Sequence, residues 1–194
     1  MSIDAEAPAF PAFLKLGGKR VVVIGGGMMA GEKIPALIEA QAEITVIAPE
    51  ISEEVRALPG LTLEERPYAS GDLAGAWYVV AAAPPEVNRA VSEEAAERQT
   101  FVNAVDDRRY ADVYLGSILR RGGMTFVISS DGAAPALTAL LRRGLEELIP
   151  EELSAWKSLA ETKRAEWKAK GIPFLERRPL LLQAMNAWYE RTKD

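Results

Sequence analysis

The sequence predicts an α/β protein: an open parallel sheet first, then a short β-containing segment, then a helical C-terminal part. Three observations predict it. From residue 20 to about 105, short β-branched runs alternate with amphipathic helical patterns, the rhythm of parallel strands joined by crossover helices. Two further β-like runs, 114–119 and 124–128, flank a glycine-containing connection short enough for antiparallel pairing. From Ala134 the pattern is helical nearly to the end, divided at Pro150 and at Gly171-Ile172-Pro173 into about three helices.

Each element has its own signal. Val21-Val22-Val23-Ile24 is apolar on both faces, as a buried parallel strand must be, and Ile34, Leu37, Ile38 and Ala42 then recur at helical spacing. Ile44-Thr45-Val46-Ile47 reads as a second buried strand, followed by a short helix through Val55 and a third strand at Leu61-Thr62-Leu63. Pro67 to Gly75 is turn-rich. Trp77 to Ala81 makes a fourth strand, Pro85 opens a helix through Glu97, and Thr100 to Ala104 makes a fifth strand. The β runs around Arg120-Arg121-Gly122-Gly123 are too short to bury much by themselves, so pairing with a second copy of the chain is expected. The organisation predicted is a domain over 1–112, a dimerisation segment over 113–148 and a helical domain over 149–194. Trp156, Trp167, Phe174, Trp188 and Tyr189 are read as packing between the last helices.

Composition narrows the chemistry. The chain has 194 residues, 48% hydrophobic and 26% charged, enough for a real core. It has no cysteine and no histidine, which excludes disulfides, thiolate nucleophiles and the usual ligands of zinc, copper and haem iron. No metal site is expected, and acid/base chemistry falls to carboxylates, lysines or tyrosines. A net charge of −5 argues against a general nucleic-acid binder. The N-terminal MSIDAEAPAFPAFLKLGG lacks a basic region and a continuous apolar core, and no run of about 18 apolar residues occurs, so a cytoplasmic protein with no membrane span is expected.

Gly25-Gly26-Gly27-Met28-Met29-Ala30 follows the first strand directly and opens a helix, fitting G-x-G-x-x-A. Gly25 allows the tight turn, Gly27 removes a side chain where a pyrophosphate approaches the backbone, and Ala30 lets the helix pack close to the sheet. The free N–H groups of the helix, aided by its dipole, then face the phosphates. The bland alternative is a glycine turn without a ligand. Such a fold usually ends its second strand in an acidic residue for the ribose hydroxyls. Here Ala48-Pro49 stands there and Glu50 comes late, so the adenosine end is expected to be held differently. With no arginine evident beside the second strand, NAD is expected over NADP.

The chain resembles the precorrin-2 dehydrogenases, some of which also act as sirohydrochlorin ferrochelatases and which form the first part of siroheme synthases. The likeness runs through Phe13-Leu14-Lys15-Leu16-Gly17-Gly18-Lys19, Gly25 to Lys33, Phe101-Val102-Asn103-Ala104-Val105-Asp106, and Val127-Ile128-Ser129-Ser130-Asp131-Gly132-Ala133-Ala134-Pro135-Ala136-Leu137 with Leu140-Leu141-Arg142. It departs at Glu32, where the family has a basic residue, and at Ala82-Ala83-Pro84-Pro85, where the family has a threonine and acidic residues. The resemblance implies an N-terminal Rossmann domain and a homodimer. It further implies NAD-dependent oxidation of precorrin-2 to sirohydrochlorin, with metal insertion into sirohydrochlorin in some members.

It also implies roles for single residues. Asp106, just past the fifth strand, matches the catalytic aspartate and can accept the proton lost when hydride leaves the same substrate; by position alone it could equally be a turn or cap residue. Gly25, Gly26, Gly27, Met28, Met29, Ala30, Asn88 and Asn103 are the expected cofactor contacts. Ser129 and Ser130 are either N-caps of the helix near Ala134 or donors to a substrate carboxylate. Arg120 and Arg121, like Arg142 and Arg143, either pair with the acidic rim of the tetrapyrrole or are solvated surface. A rival from another class is a non-catalytic NAD(H)-sensing regulatory domain, which needs only the glycine turn and an effector contact; such domains usually carry an acidic ribose ligand after the second strand, which this chain lacks. An enzyme rival, a short-chain alcohol dehydrogenase, would carry a Tyr-x-x-x-Lys pair; Tyr78, Tyr110 and Tyr114 lack the lysine.

Overall fold

The structure is a computed structural model that describes residues 9–105 and 107–192. It divides into two compact units, one through Leu115 and one from Gly116. In the first unit β1 (Arg20–Ile24), β2 (Glu43–Ala48), β3 (Leu61–Glu65), β4 (Tyr78–Ala81) and β5 (Phe101–Ala104) form one sheet in the order β3-β2-β1-β4-β5. Every pairing is parallel. The connecting helices are α1 (Met28–Glu39), the single turn α2 (Glu53–Arg56) and α3 (Pro85–Glu97).

Alternation along β1 splits the core into two layers. Val21 and Val23 pack with Ile34 and Leu37 of α1 on one face, together with Val46 and Val80. Val22 and Ile24 pack with Val91 and Ala95 of α3 on the other, together with Val79 and Val102. The four residues Val21–Ile24 are at most 2% exposed, the double-sided burial that their unbroken apolar run requires. Trp77 precedes β4 and does not belong to it: it is 59% exposed, with the Lys19 ammonium 4.1 Å from its ring centroid.

The second unit holds an antiparallel pair, β6 (Ser117–Arg121) and β7 (Met124–Ile128), then α4 (Pro135–Leu148), α5 (Leu153–Ala169) and α6 (Arg177–Thr192). Arg121 pairs with Met124, leaving the two-residue turn Gly122-Gly123 with φ of 55° and 71°, the conformation that a tight hairpin needs and that glycine supplies without strain. The helix breaks fall where the sequence places them. Of the C-terminal aromatics, Trp167 is buried, and Tyr189 stands edge-on to Trp156 and Trp188. Phe174 departs from expectation: it lies in a 3-10 turn and is 81% exposed. Among the described residues no helix is long and apolar enough to cross a membrane.

Candidate functional site

The strand order reverses at β1, with β2 and β3 to one side and β4 and β5 to the other. In open α/β sheets ligands bind past the carboxyl ends of the strands at such a point, and Gly25-Gly26-Gly27 occupies it. The turn is tied to both neighbours: the Gly25 N–H donates to the Ile47 carbonyl at 3.0 Å, and the Ala82 N–H donates to the Ile24 carbonyl at 2.8 Å.

The three glycines differ in what they must avoid. Gly25 has φ of 121°, and a Cβ there would collide with the Ala82 carbonyl. A Cβ on Gly26 would collide with the Glu50 carbonyl and lie 2.8 Å from the Ile51 Cα. Gly27 is extended (φ −94°, ψ −168°), and a Cβ there would meet nothing within 4 Å. Protein packing therefore demands glycine at 25 and 26 but not at 27, where only a ligand drawn onto the backbone would demand it. Gly27 is the N-cap of α1 and no side chain caps the helix, so its first N–H groups face outward without a partner from the helix. Ala30 is fully buried, the close packing foreseen for it, while Met28 is 75% exposed beside the turn and Met29 is half-buried.

Asn88 and Asn103 sit on the adjoining strands' helix and end. Asn88 is buried, and its Oδ1 accepts the Ala83 N–H at 2.9 Å, so it shapes the loop after β4. Nearby, the Ser92 hydroxyl lies 2.9 Å from the carbonyls of Asn88 and Tyr110. Asn103 is 7% exposed; its Nδ2 donates to the Val113 carbonyl at 2.8 Å, and its Oδ1 is buried with no partner among the described residues. A buried carbonyl left without a donor is costly, and this one stands at the carboxyl end of β5. Both features, the open Gly27 backbone and the orphaned acceptor, fit a dinucleotide.

Asp106 lies outside the described residues. Its neighbour Asp107 opens a 3-10 turn over Arg108–Tyr110, accepting the Arg109 N–H at 3.1 Å and its guanidinium at 2.8 Å. That guanidinium holds the Asp107 carboxyl below the usual carboxylate range.

In the second unit both serine hydroxyls accept N–H groups of their own turn. Ser129 Oγ accepts the Asp131 N–H at 3.0 Å, and Ser130 Oγ accepts the Ala134 N–H at 2.8 Å. Neither is the N-cap, a position that falls to Ala134, because Asp131 and Gly132 turn the chain with φ of 50° and 76° before Pro135 opens α4. Arg121 donates to the carbonyls of Glu146 and, at 2.6 Å, Ile149, satisfying the C-terminal end of α4. Arg142 pairs with Glu146 at 2.9 Å. Among the described residues no group of three or more acidic side chains gathers as a metal site. One Tyr-x-x-x-Lys pair does exist, Tyr189 and Lys193; Tyr189 packs on Trp156 in the second unit, and Lys193 lies outside the described residues.

Known proteins resemble this chain in sequence and in fold. Siroheme synthase 3 of Aeromonas hydrophila subsp. hydrophila is 38% identical over 172 residues, 87% of this chain and 37% of that protein. Siroheme synthase of Neisseria meningitidis serogroup C is 36% identical over 174 residues, 87% of this chain and 36% of that protein. The chain thus spans little more than a third of the length of these relatives. Among solved structures, SirC, a precorrin-2 dehydrogenase, shares the fold with a TM-score of 0.69 at 24% identity, covering 90% of this chain and 88% of that one. The model of the family described as "Putative NAD(P)-binding" matches residues 12–117, more than half of the chain, and carries the whole glycine turn and β1–β5; the chain belongs to this NAD(P)-binding family.

Proposed function

We propose that the chain is an NAD-dependent dehydrogenase that oxidises precorrin-2 to sirohydrochlorin, working in the cytoplasm as a homodimer. The observation that carries the reading is the pairing of a glycine turn with an open backbone at the end of β1 with an Asn103 carbonyl at the end of β5 that is buried and has no partner among the described residues, in a chain alike over 87% of its length to siroheme synthases. The backbone at Gly25–Gly27 and the N–H groups of Met28, Met29 and Ala30 would hold the pyrophosphate, and Asn103 would accept from the nicotinamide carboxamide. NAD supplies a hydride acceptor when bound.

This chain's residues supply the rest. Oxidation removes a hydride and a proton from the substrate, and Asp106, one residue beyond Val105, is the proposed acceptor of that proton. Val105 itself is held by its N–H to the Ala81 carbonyl at 2.9 Å. Asn88 acts through the β4 loop. On the second unit, Ser129, Ser130 and Arg120 are proposed contacts for substrate carboxylates; Arg121, engaged with the end of α4, serves that helix.

The test is an absorption assay of pure protein with precorrin-2 and NAD. Conversion of the chromophore to that of sirohydrochlorin supports the proposal. An unchanged spectrum in a protein that still binds NAD points to the regulatory, non-catalytic reading.

A further inference from the structure

β5 is the outermost strand on its side of the sheet, so the N–H and carbonyl groups along its outer edge have no strand to pair with. The chain itself returns to cover them. The Asp112 and Val113 N–H groups donate to the Val102 carbonyl at 2.9 and 3.1 Å, and the Val102 N–H donates to Asp112 Oδ2 at 3.2 Å. Asp112 therefore grips one residue of β5 twice, through its backbone and through its carboxylate.

Asn103, the next residue on the strand, depends on that grip. Its Nδ2 donates to the Val113 carbonyl at 2.8 Å, and its Oδ1 is buried with no partner among the described residues. A backbone carbonyl can only accept, so it decides which end of the amide faces it: the NH2 turns to Val113 and the oxygen turns away, toward a donor. Val113 is partly buried against the core layer that holds Val80 and Ile34. Where its carbonyl stands along β5 is set by the three hydrogen bonds that Asp112 and Val113 make to Val102. Without the carboxylate the returning chain is held on one side only, and the amide can turn its NH2 to the place where an acceptor is needed.

We infer that Asp112 is a positioning residue for the cofactor: by clamping the returning chain to Val102 it orients the Asn103 amide, acting through the Val113 carbonyl, so that Oδ1 receives the nicotinamide carboxamide N–H. The inference rests on the proposed contact between Asn103 and the nicotinamide and not on the tetrapyrrole.

Titration of the full chain with NADH, followed by fluorescence, and with ADP-ribose, followed by calorimetry, tests it. ADP-ribose keeps the pyrophosphate and the adenosine but has no nicotinamide. Asp112→Ala is expected to weaken NADH about tenfold and to leave ADP-ribose within about twofold of wild type. Asp112→Asn keeps an acceptor in the same place and is expected to bind NADH as wild type does. Asp112→Glu keeps the charge but carries the acceptor one methylene too far, and is expected to lose NADH as Asp112→Ala does. In an Asn103→Ala background, Asp112→Ala is expected to add no further loss, because both changes then remove one and the same contact. Asp112 is exposed, so its variants are expected to fold; should Asp112→Ala fail to, Asp112→Glu carries the comparison. Unchanged NADH affinity in Asp112→Ala, equal losses for NADH and ADP-ribose, additive losses in the double variant, or no rescue by Asp112→Asn overturns the assignment. An Asn103→Ala protein that binds NADH as tightly as wild type overturns the nicotinamide contact and this inference with it. A wild type that binds neither nucleotide overturns the whole cofactor reading, whereas failure to turn over precorrin-2 leaves the inference standing.

Discussion

At the scale of single residues, the glycine turn separates what folding needs from what binding needs. A methyl group at Gly26 has the Glu50 carbonyl and Ile51 Cα in its way, so Gly26→Ala is expected to lose about 1–3 kcal/mol in urea unfolding. A methyl group at Gly27 meets nothing, and its extended backbone suits alanine. There the lost N-cap preference of glycine and the lower entropy of the unfolded chain oppose each other, and the net change should stay within about 1 kcal/mol. Gly27→Ala is instead expected to weaken NADH by at least about tenfold, since the methyl occupies the approach to the backbone. Equal destabilisation of the two variants would show that the turn is merely structural. The turn was legible in the sequence because its three glycines stand between an unbroken apolar strand and a helix. The closure of the Glu50 carbonyl over Gly26 was not, because spacing along the chain does not register the return of the β2–α2 connection to the turn.

At the scale of elements, the strands were legible because parallel strands buried on both faces leave continuous β-branched runs. What holds the connections was not. The stretch 67–75 reads only as turns, and Glu94 reads as one more charged residue on α3. In the fold Glu94 is 7% exposed and binds that stretch to the helix: it accepts the Tyr68 hydroxyl and the Gly71 N–H at 3.0 Å, and Arg98 at 2.7 Å. Burial by itself pushes the Glu94 carboxyl up, but the Tyr68 hydroxyl, the Gly71 N–H and Arg98 outweigh it and hold it below the usual range. A carboxyl whose pKa is lower folded than unfolded stabilises the protein above its unfolded pKa, near 4.5, and loses that contribution as pH falls through the folded value. Asp72 is lowered too, first by its Arg66 partner, and works in the same direction. Glu94→Gln is expected to cost about 1.5–3 kcal/mol at pH 7. It should also flatten the loss of stability below about pH 4.5, as read by urea unfolding at a series of pH values. An acid limb as steep as that of wild type would place the linkage on other carboxylates.

At the scale of the molecule, the second unit leaves apolar surface that its own elements do not cover. The buried face of α4 turns Thr138 toward the hairpin, where its hydroxyl lies 3.0 Å from that of Ser117. On the same helix Leu137, Leu140, Leu141 and Leu148 are exposed by 49–78%, and at spacings of three, four and eleven they form one stripe. Met124 and Val127 of the hairpin add to the exposed apolar side chains of this unit. Contiguous leucines of this kind mark an interaction surface, and the short β6–β7 pair alone cannot account for them. A second copy of the chain is the occupant expected from the sequence, and it gives a direct measurement: sedimentation equilibrium should return twice the 21.1 kDa chain mass. Leu140→Glu would force a carboxylate into an apolar contact, a loss of several kcal/mol if the contact forms. That variant is expected to sediment as a monomer with its melting transition lowered but with NADH affinity kept, because the glycine turn belongs to the other unit. A Leu140→Glu protein that stays dimeric would move the interface off α4, and a wild type that is monomeric at micromolar concentration would leave the leucine stripe to a different partner.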